Sequence, residues 1–211
     1  MKRQKVWDFY ATFYEQLFTQ RISLKPTRDL TTNFIKSTLT NSSKRMISIL
    51  DCGCGTGQQI DELNKKFPNI AIDGFDLSPS MISQTKAKFL KQSNIKITNT
   101  DINDFHPNKH YDFVICSHAY PYMGEIENVL SKLHSFCKPK GYLILAAACT
   151  NNLYDRIILY CLDKVSSQAN YPSSADMIEF LKRGGFKLVK FKHIKKTKLA
   201  PTIYWLAAQK L

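Results

Sequence analysis

Short apolar runs alternate with amphipathic stretches along most of the chain. Apolar runs that end at Gly or Asp are typical of buried strands, and an apolar residue at every third or fourth position predicts a helix. The pattern predicts seven strands, at 46–50, 70–75, 95–100, 113–116, 142–147, 186–193 and 202–209. It predicts helices at 58–66, 79–90, 126–137 and about 174–182, and leaves the form of 150–169 open.

Local signals support several of these boundaries. Ser78 followed by Pro79 combines a capping residue with proline at the first helical position. The run Lys138-Pro139-Lys140-Gly141 is expected to end one helix and turn the chain into the next strand. Gly184 and Gly185 supply a helix end.

Strands separated by helices predict an α/β fold, a doubly wound and mostly parallel seven-stranded sheet. The last two strands are joined by a short loop, so the last strand is expected to be antiparallel. Aromatic and apolar residues recur at helical spacing near the start of the chain, at Trp7, Tyr10, Phe13, Tyr14 and Leu17. We therefore expect one domain over 1–211, with helices over the sheet's edge as a lid in 1–40 and the sheet core in 44–211.

Composition narrows the class of protein. The 211 residues are 44% apolar, and no apolar run approaches the length that crosses a bilayer. Charge interrupts the start of the chain before a signal-peptide core could form, so a cytoplasmic location is expected. The six cysteines are scattered, and Cys52, Cys116, Cys149 and Cys161 lie in apolar or Gly-rich surroundings, which predicts reduced and mostly buried thiols. Their spacing predicts no metal site.

The net charge of +13 is concentrated near the ends of the chain. Between Phe186 and Leu211 there are seven lysines and no carboxylate. This distribution is typical of a solvated lysine-rich face, but it would also suit nucleic acid, an anionic metabolite or a membrane surface.

The segment from Ile49 to Gly57 holds three of the chain's eight glycines, directly between a predicted strand and a predicted helix. Glycine allows a tight turn there and lets a ligand approach where a Cβ would collide. In an open α/β sheet, a turn at the carboxyl end of the first strand is a place where ligands bind.

The spacing of this turn is D-x-G-x-G-x-G, starting at Asp51, and differs from the G-x-G-x-x-G of dinucleotide-binding dehydrogenases. It resembles the first motif of class I (Rossmann-like) S-adenosylmethionine-dependent methyltransferases. Three further motifs of that family follow in order, at Asp76, at Asp101 and in the stretch Tyr111 to His118. The resemblance covers about residues 46–147.

The resemblance implies S-adenosylmethionine as cofactor and methyl transfer by in-line displacement, without a metal. It implies that Asp51 organises the amino group of the methionine moiety and that Asp76 binds the ribose, whose two hydroxyls can both donate to one carboxylate. Leu77 and Met81 would pack on the adenine, with Asp101 at its amino group. The full implied cofactor site is Asp51, Gly53, Gly55, Gly57, Asp76, Leu77, Met81, Asp101, Ile102 and Ser117.

An acceptor that arrives protonated also needs a base, and His118 is the candidate. Tyr120 and Tyr122 are expected to shape the acceptor pocket. Tyr14, with Tyr10, is expected to belong to a lid over the cofactor.

The acceptor itself stays open between several classes. Family members that methylate exocyclic amines or amides commonly carry an Asn/Asp-Pro-Pro-aromatic element where this chain has Ser117-His118-Ala119-Tyr120. This departure, and the absence of an appended RNA-binding module, favour a small-molecule acceptor. The alternatives are an RNA substrate bound through the lysines of 187–198, a non-catalytic cofactor-binding protein, and an enzyme that uses the sulfonium for other chemistry. The sequence predicts no particular oligomeric state.

Overall fold

The computed structural model describes residues 2–16, 20–39, 45–166, 169–194 and 200–211. These residues form a seven-stranded sheet in the order β3-β2-β1-β4-β5-β7-β6. The strands are β1 Ile47–Cys52, β2 Ile70–Asp76, β3 Ile95–Asn99, β4 Tyr111–Ser117, β5 Cys137–Ala148, β6 Phe186–Ile194 and β7 Ile203–Lys210. The α-helices among the described residues are α1 Lys2–Ala11, α2 Lys25–Leu39, α3 Gln58–Lys66, α4 Pro79–Lys88, α5 Ile126–Phe136, α6 Leu153–Ser166 and α7 Ser174–Arg183.

Strands β1 to β5 are parallel, and β7 pairs antiparallel with both β5 and β6. The predicted doubly wound, mostly parallel sheet is therefore confirmed, including its antiparallel last strand. The strand order reverses between β1 and β4, because one half of the chain winds outward through β2 and the other through β5. A reversal of this kind opens a crevice at the carboxyl ends of the two central strands.

Each face of the sheet has its own core. Leu50 and Val114 point to the face covered by α5 and α7, whereas Ile49 and Ile115 point to the face covered by α2, α3 and α4. The alternation follows from the two-residue period of a strand. Both faces are covered, which explains why β4 reads as an unbroken apolar run.

The expectation that the N-terminal helices lie over the sheet's edge is wrong for α2. Phe34 packs against Trp205 and Tyr142 on a face of the sheet, and the indole N–H of Trp205 donates to Thr31 Oγ1 at 2.9 Å. Helix α1 instead packs on α4. Leu17, the last residue of the predicted pattern, lies outside the described residues.

The turn expected at 138–141 lies inside a strand. Strand β5 begins at Cys137, and its pairing with β4 shifts register between Tyr111 and Phe113. Lys140 adopts a φ of 61°, and a Cβ on Gly141 would come within 2.9 Å of the Lys138 carbonyl oxygen. The glycine lets the strand bulge and remain paired.

The segment 150–169, for which the sequence pattern predicts neither helix nor strand, contains α6. Cys161 lies on the exposed side of this helix, which corrects its expected burial, whereas Cys52, Cys116 and Cys149 are buried. In the described parts of the chain no helix is both long enough and apolar enough to span a membrane.

Candidate functional site

A cleft opens at the carboxyl ends of β1, β2 and β4, where the strand order reverses. Eleven of the residues that the sequence predicts for the site line it together: Tyr14, Gly53, Gly55, Asp76, Leu77, Met81, Asp101, Ile102, Ser117, His118 and Tyr122. The cleft therefore gathers groups that are far apart in the chain.

A recess continues from the cleft beneath the glycine-rich turn. It shares Tyr14, Ser117 and His118 with the cleft and adds Asp51 and Arg28 to its walls. The cleft and the recess therefore adjoin, with the Asp76 carboxylate in the wall of the cleft and Asp51 and Arg28 in the wall of the recess.

The turn after β1 is tied to the end of β2 by backbone hydrogen bonds. The N–H groups of Gly53 and Cys54 both donate to the carbonyl oxygen of Phe75, at 2.8 and 3.0 Å. The Asp76 carboxylate then accepts from Gly55 N and Ser78 N, each at 2.9 Å. These bonds fix the carboxylate at the cleft wall, and burial raises the pKa of Asp76 above its ordinary value.

Asp51 lies in the wall of the recess and is only 4% exposed. Burial, and next the nearby Asp76 carboxylate, raise the pKa of Asp51 to about 7. The Arg28 side chain enters the same recess from α2, where its guanidinium donates to Glu62 at 2.9 Å and to Gln58 at 2.9 Å. An acid and a cation so placed suit a zwitterionic amino-acid group.

His118 follows β4 directly and adopts a φ of 58°. Its backbone N–H donates to the Ala146 carbonyl oxygen, and its Nε2 lies 3.1 Å from Thr27 Oγ1. Thr27 Oγ1 also lies 2.8 Å from the Leu24 carbonyl oxygen and 3.0 Å from that of Ser23. The single Thr27 hydroxyl proton goes to one of these carbonyls, as is usual for threonine in a helix, so Nε2–H of His118 donates to Thr27 and Nδ1 is left as an acceptor.

The imidazole of His118 is neutral at ordinary pH. Burial, and next the positive charge of Arg28, lower the pKa of His118 to about 4. Ser117 Oγ, beside it, is buried and has no hydrogen-bond partner among the described residues. A buried hydroxyl without a protein partner at a cavity wall has a hydrogen bond to offer to a ligand or a water molecule.

The predicted lid residue Tyr14 lines both the cleft and the recess. Burial raises the pKa of the Tyr14 hydroxyl well above its ordinary value, so the phenol stays protonated. The N-terminal segment that carries Tyr14 is fastened to α4, because Asp8 accepts from the Ser78 hydroxyl and Gln84 donates to the Ala11 carbonyl oxygen at 2.8 Å.

Two of the predicted site residues do not reach the cleft or the recess. Tyr120 is 2% exposed and packs in the core, where its hydroxyl accepts from Tyr204 at 2.6 Å. Gly57 sits against α4, where a Cβ would come 2.7 Å from the Thr85 side chain. The structure thus corrects both placements: Tyr122 rather than Tyr120 lines the cleft, and Gly57 serves helix packing.

Sequence reasoning missed the contribution of α2 and gave Trp7 only as part of a helical pattern. Thr27 and Arg28 line the recess, and Trp7 lines the cleft with its ring 5.0 Å from that of Tyr122. The available signal was the polar face of α2, since Thr27 and Thr31 recur at helical spacing and are both fully buried. Among the described residues no three His, Cys, Asp or Glu side chains are grouped as metal ligands.

Gly53→Ala is expected to destabilise the fold by about 2 to 4 kcal/mol, because the new Cβ would strain a left-handed residue and overpack its surroundings. Gly53 has a φ of 75°, and its Cβ would come 2.3 Å from the Ala119 Cβ. Gly55→Ala is the matched control, since Gly55 also has a left-handed φ, of 52°, but the nearest atom to a Cβ there is 3.9 Å away. Thermal unfolding should separate the two variants, and equal losses would contradict the close approach at Ala119.

A family model described as "Methyltransferase domain" matches residues 49–141. Malonyl-[acyl-carrier protein] O-methyltransferase 2 of Ilyobacter polytropus is 27% identical over 141 residues, which are 67% of this chain and 54% of that protein. The malonyl-[acyl-carrier protein] O-methyltransferase of Priestia megaterium is 30% identical over 142 residues, which are 67% of this chain and 47% of that protein. The chain spans about half the length of these curated relatives.

Two solved structures share the fold over nearly the whole chain. Magnesium protoporphyrin IX methyltransferase from Synechocystis PCC 6803, with bound SAH, is 18% identical, with all of both chains covered and a TM-score of 0.77. The N-methyltransferase NodS from Bradyrhizobium japonicum WM9, also with SAH, is 13% identical, with 100% of this chain and 99% of that chain covered and a TM-score of 0.74. The matched domain contains the glycine-rich turn after β1 and the acid that ends β2, and the chain belongs to the class I, Rossmann-like family of S-adenosylmethionine-dependent methyltransferases.

Proposed function

We propose that the protein binds S-adenosylmethionine in the cleft and recess and transfers its methyl group to a small-molecule acceptor. The observation that carries the proposal is the placement of Asp76, Asp51 and the neutral His118 in the walls of two adjoining cavities, with His118 lining both. The two carboxyl groups suit a polar, partly cationic ligand, and the neutral imidazole suits removal of a proton from an acceptor.

The residues present fit this cofactor. Asp76 would receive the ribose hydroxyls, Leu77 and Met81 would pack on the base, and Asp101 would accept from its amino group. Asp51 and Arg28 would hold the amino and carboxylate groups of the methionine part, and the Ser117 hydroxyl would gain the partner that it lacks. When bound, S-adenosylmethionine supplies a methyl group activated by a positive sulfur.

The remaining walls exclude water and handle the proton. Trp7, Tyr122 and Met123 line the cleft beside His118 and give it an apolar rim. Thr27 orients the His118 ring, so Nδ1 is the atom that accepts a proton from a protonated acceptor. A low pKa makes His118 a weak base but keeps it in the accepting form across the neutral range.

Two observations favour a small acceptor over RNA. The cleft is narrow and aromatic, and the curated relatives are named as O-methyltransferases of malonyl-[acyl-carrier protein], which supports an oxygen nucleophile. Lys187, Lys190 and Lys192 are exposed on β6, three strands from β4, so they lie roughly 14 Å from the centre of the site across the sheet. RNA methylation through these lysines is the outcome that would overturn the proposal.

The affinity for S-adenosylhomocysteine should rise with pH and level off above about pH 7. Asp51 must be ionised to pair with the ligand's ammonium group, and its pKa is raised to about 7. Because the protonated acid does not pair, affinity should fall about tenfold for each pH unit below the pKa. Calorimetry between about pH 5.5 and 8 measures this directly, a window that lies above the pKa of His118.

Asp51→Asn is the control for this pH dependence. It should bind more weakly and with a flat pH profile. A profile as steep as that of the wild type would assign the proton to Asp76 instead, and a flat wild-type profile would contradict the role of Asp51.

The proposed function is tested by radiolabelled methyl transfer from S-adenosylmethionine into a cell extract that is then separated into metabolite, protein and RNA fractions. Label in the metabolite fraction, absent with the Asp76→Asn variant, is the expected result. Label in RNA that falls steeply as salt rises would favour the basic strand β6 instead, because each neutralised phosphate releases counterions.

A further inference from the structure

A second cavity lies outside the cofactor site, between α6 and the segment 169–172. It is a broad groove of about 540 Å³, lined by Thr150, Arg156, Ile157, Leu159, Tyr160, Ala169 and Tyr171. Its floor is apolar, and Arg156 is the charged residue in its lining. We refer to it as the α6 groove.

Helix α6 is apolar on two sides. Leu159 is buried, whereas Ile157 and Tyr160, which line the groove, are 56% and 63% exposed. Exposed apolar side chains on a helix that also buries an apolar residue indicate a binding surface.

The α6 groove shares a wall with the cofactor cleft. The hydroxyls of Tyr122 and Tyr171 are hydrogen-bonded at 2.7 Å, Tyr122 lines the cleft and Tyr171 lines the α6 groove. The segment that carries Tyr171 is fixed in place, because Asn170 N donates to the Pro121 carbonyl oxygen at 2.8 Å and Thr150 Oγ1 donates to that of Tyr171 at 2.9 Å. One pair of tyrosines therefore separates the two spaces.

The charge at the α6 groove is positive. Arg156 is exposed, whereas the adjacent Asp155 is fully buried and accepts from Thr202 N at 2.9 Å and from Asn152 Nδ2 at 2.8 Å. The Asp155 side chain is therefore held inside the protein, whereas Arg156 is exposed at the groove. An apolar surface beside one exposed cation is complementary to an organic anion with an apolar body.

We propose that the α6 groove binds the non-reacting part of the methyl acceptor, an apolar chain with an anionic group that pairs with Arg156. The reacting end then reaches the cleft past the Tyr122 and Tyr171 pair. This assignment rests on the proposed function, since it names the class of acceptor: an amphiphilic organic acid. No new bond forms at the groove, and its contribution is binding and placement.

Calorimetry with dodecanoate, in the presence of S-adenosylhomocysteine, tests the groove without any assay of turnover. We expect dodecanoate to bind and dodecyltrimethylammonium, of the same chain length and opposite charge, to bind at least about fivefold more weakly. Arg156→Gln should weaken dodecanoate about fivefold, and Ile157→Glu more than about tenfold, because a carboxylate would be forced into the apolar floor.

Matched controls lie on the same helix and on another basic surface. Leu153→Glu introduces the same charge on the outer side of α6, at a residue that does not line the groove, and Lys187→Gln removes a lysine from β6. Both should leave the dodecanoate affinity within about twofold. The proposal is overturned if the two amphiphiles bind equally, if neither binds, or if the controls weaken dodecanoate as much as Arg156→Gln and Ile157→Glu.

Tryptophan fluorescence gives a second measurement that locates the chain. Trp7 lies beside Tyr122, whereas Trp205 is fully buried on the other face of the sheet. A fatty acid brominated at its far end should quench Trp7 if its chain reaches the tyrosine pair, and should lose this effect in Ile157→Glu. Unchanged fluorescence on saturation would place the chain elsewhere and overturn the assignment.

Failure of the proposal and failure of the proposed function are distinguishable. Methylated metabolites together with wild-type dodecanoate binding in Arg156→Gln and Ile157→Glu would refute the groove alone. Dodecanoate binding that depends on these residues, without any methyl transfer, would refute the function alone.

Discussion

Asp76→Asn is expected to weaken the binding of S-adenosylhomocysteine by about 30- to 1000-fold, because a neutral amide replaces the carboxylate that accepts the ribose protons. The amide keeps the size of the side chain, so the loss reports charge and hydrogen bonding rather than a cavity. Asp76 also accepts from Gly55 N and Ser78 N, and an amide can place a donor against one of these donors. Calorimetry at constant pH measures the affinity, and thermal unfolding shows whether the turn survives.

Asp73→Asn is the matched control. Asp73 lies on the same strand, but its carboxylate accepts from the Tyr111 hydroxyl at 2.7 Å and pairs with Lys109 at 2.9 Å, and it does not line the cleft. Asp73→Asn should lower the stability of the fold, and the folded variant should bind S-adenosylhomocysteine with nearly the wild-type affinity. Equal affinity in wild type and Asp76→Asn would move the ribose site away from the end of β2.

The parts of the site that the sequence predicts correctly in position lie next to strand ends. Asp51, Asp76 and Ser117 each stand where a buried apolar run stops, and parallel strands bring such ends to one edge of the sheet. The family resemblance identifies these residues, and the strand pattern places them, because both the apolar run and the residue after it are local in sequence. The sequence also predicts that a ligand binds at the turn after the first strand, and Gly53 and Gly55 of that turn line the cleft.

The site residues that the sequence does not predict are placed by contacts between segments that are far apart in the chain. Nothing near Thr27 or Arg28 indicates that α2 meets the end of β4, since that contact joins residues 91 positions apart. Tyr120 and Tyr122 are two residues apart in a short 3₁₀ turn, and composition alone does not tell which ring enters the cleft and which the core. The core position belongs to Tyr120 because Tyr204 of β7 supplies its hydrogen-bond partner.

His118→Asn is expected to lower kcat by about 100- to 10,000-fold, the usual range for loss of a proton acceptor. Asparagine tolerates the left-handed backbone that His118 adopts at a φ of 58°, so the substitution removes the imidazole without straining the chain. The affinity for S-adenosylhomocysteine should stay within about threefold, because the proposed contacts to the cofactor come from other residues. Once the acceptor is known, steady-state kinetics and calorimetry measure the two effects separately.

Thr27 distinguishes a proton acceptor from a residue that only shapes the pocket. If His118 accepts a proton at Nδ1, Thr27→Val should lower kcat by removing the oxygen that receives Nε2–H, whereas Thr27→Ser keeps the oxygen and should keep most of the rate. At saturating S-adenosylmethionine the wild-type kcat should be level from about pH 5 upward, because burial and Arg28 lower the pKa of His118 to about 4. A purely steric role predicts the opposite order, since valine preserves the shape of threonine and serine does not. Wild-type turnover in both His118→Asn and Thr27→Val would show that the acceptor reaches the cleft already deprotonated, as a carboxylate does, and that this site needs no base.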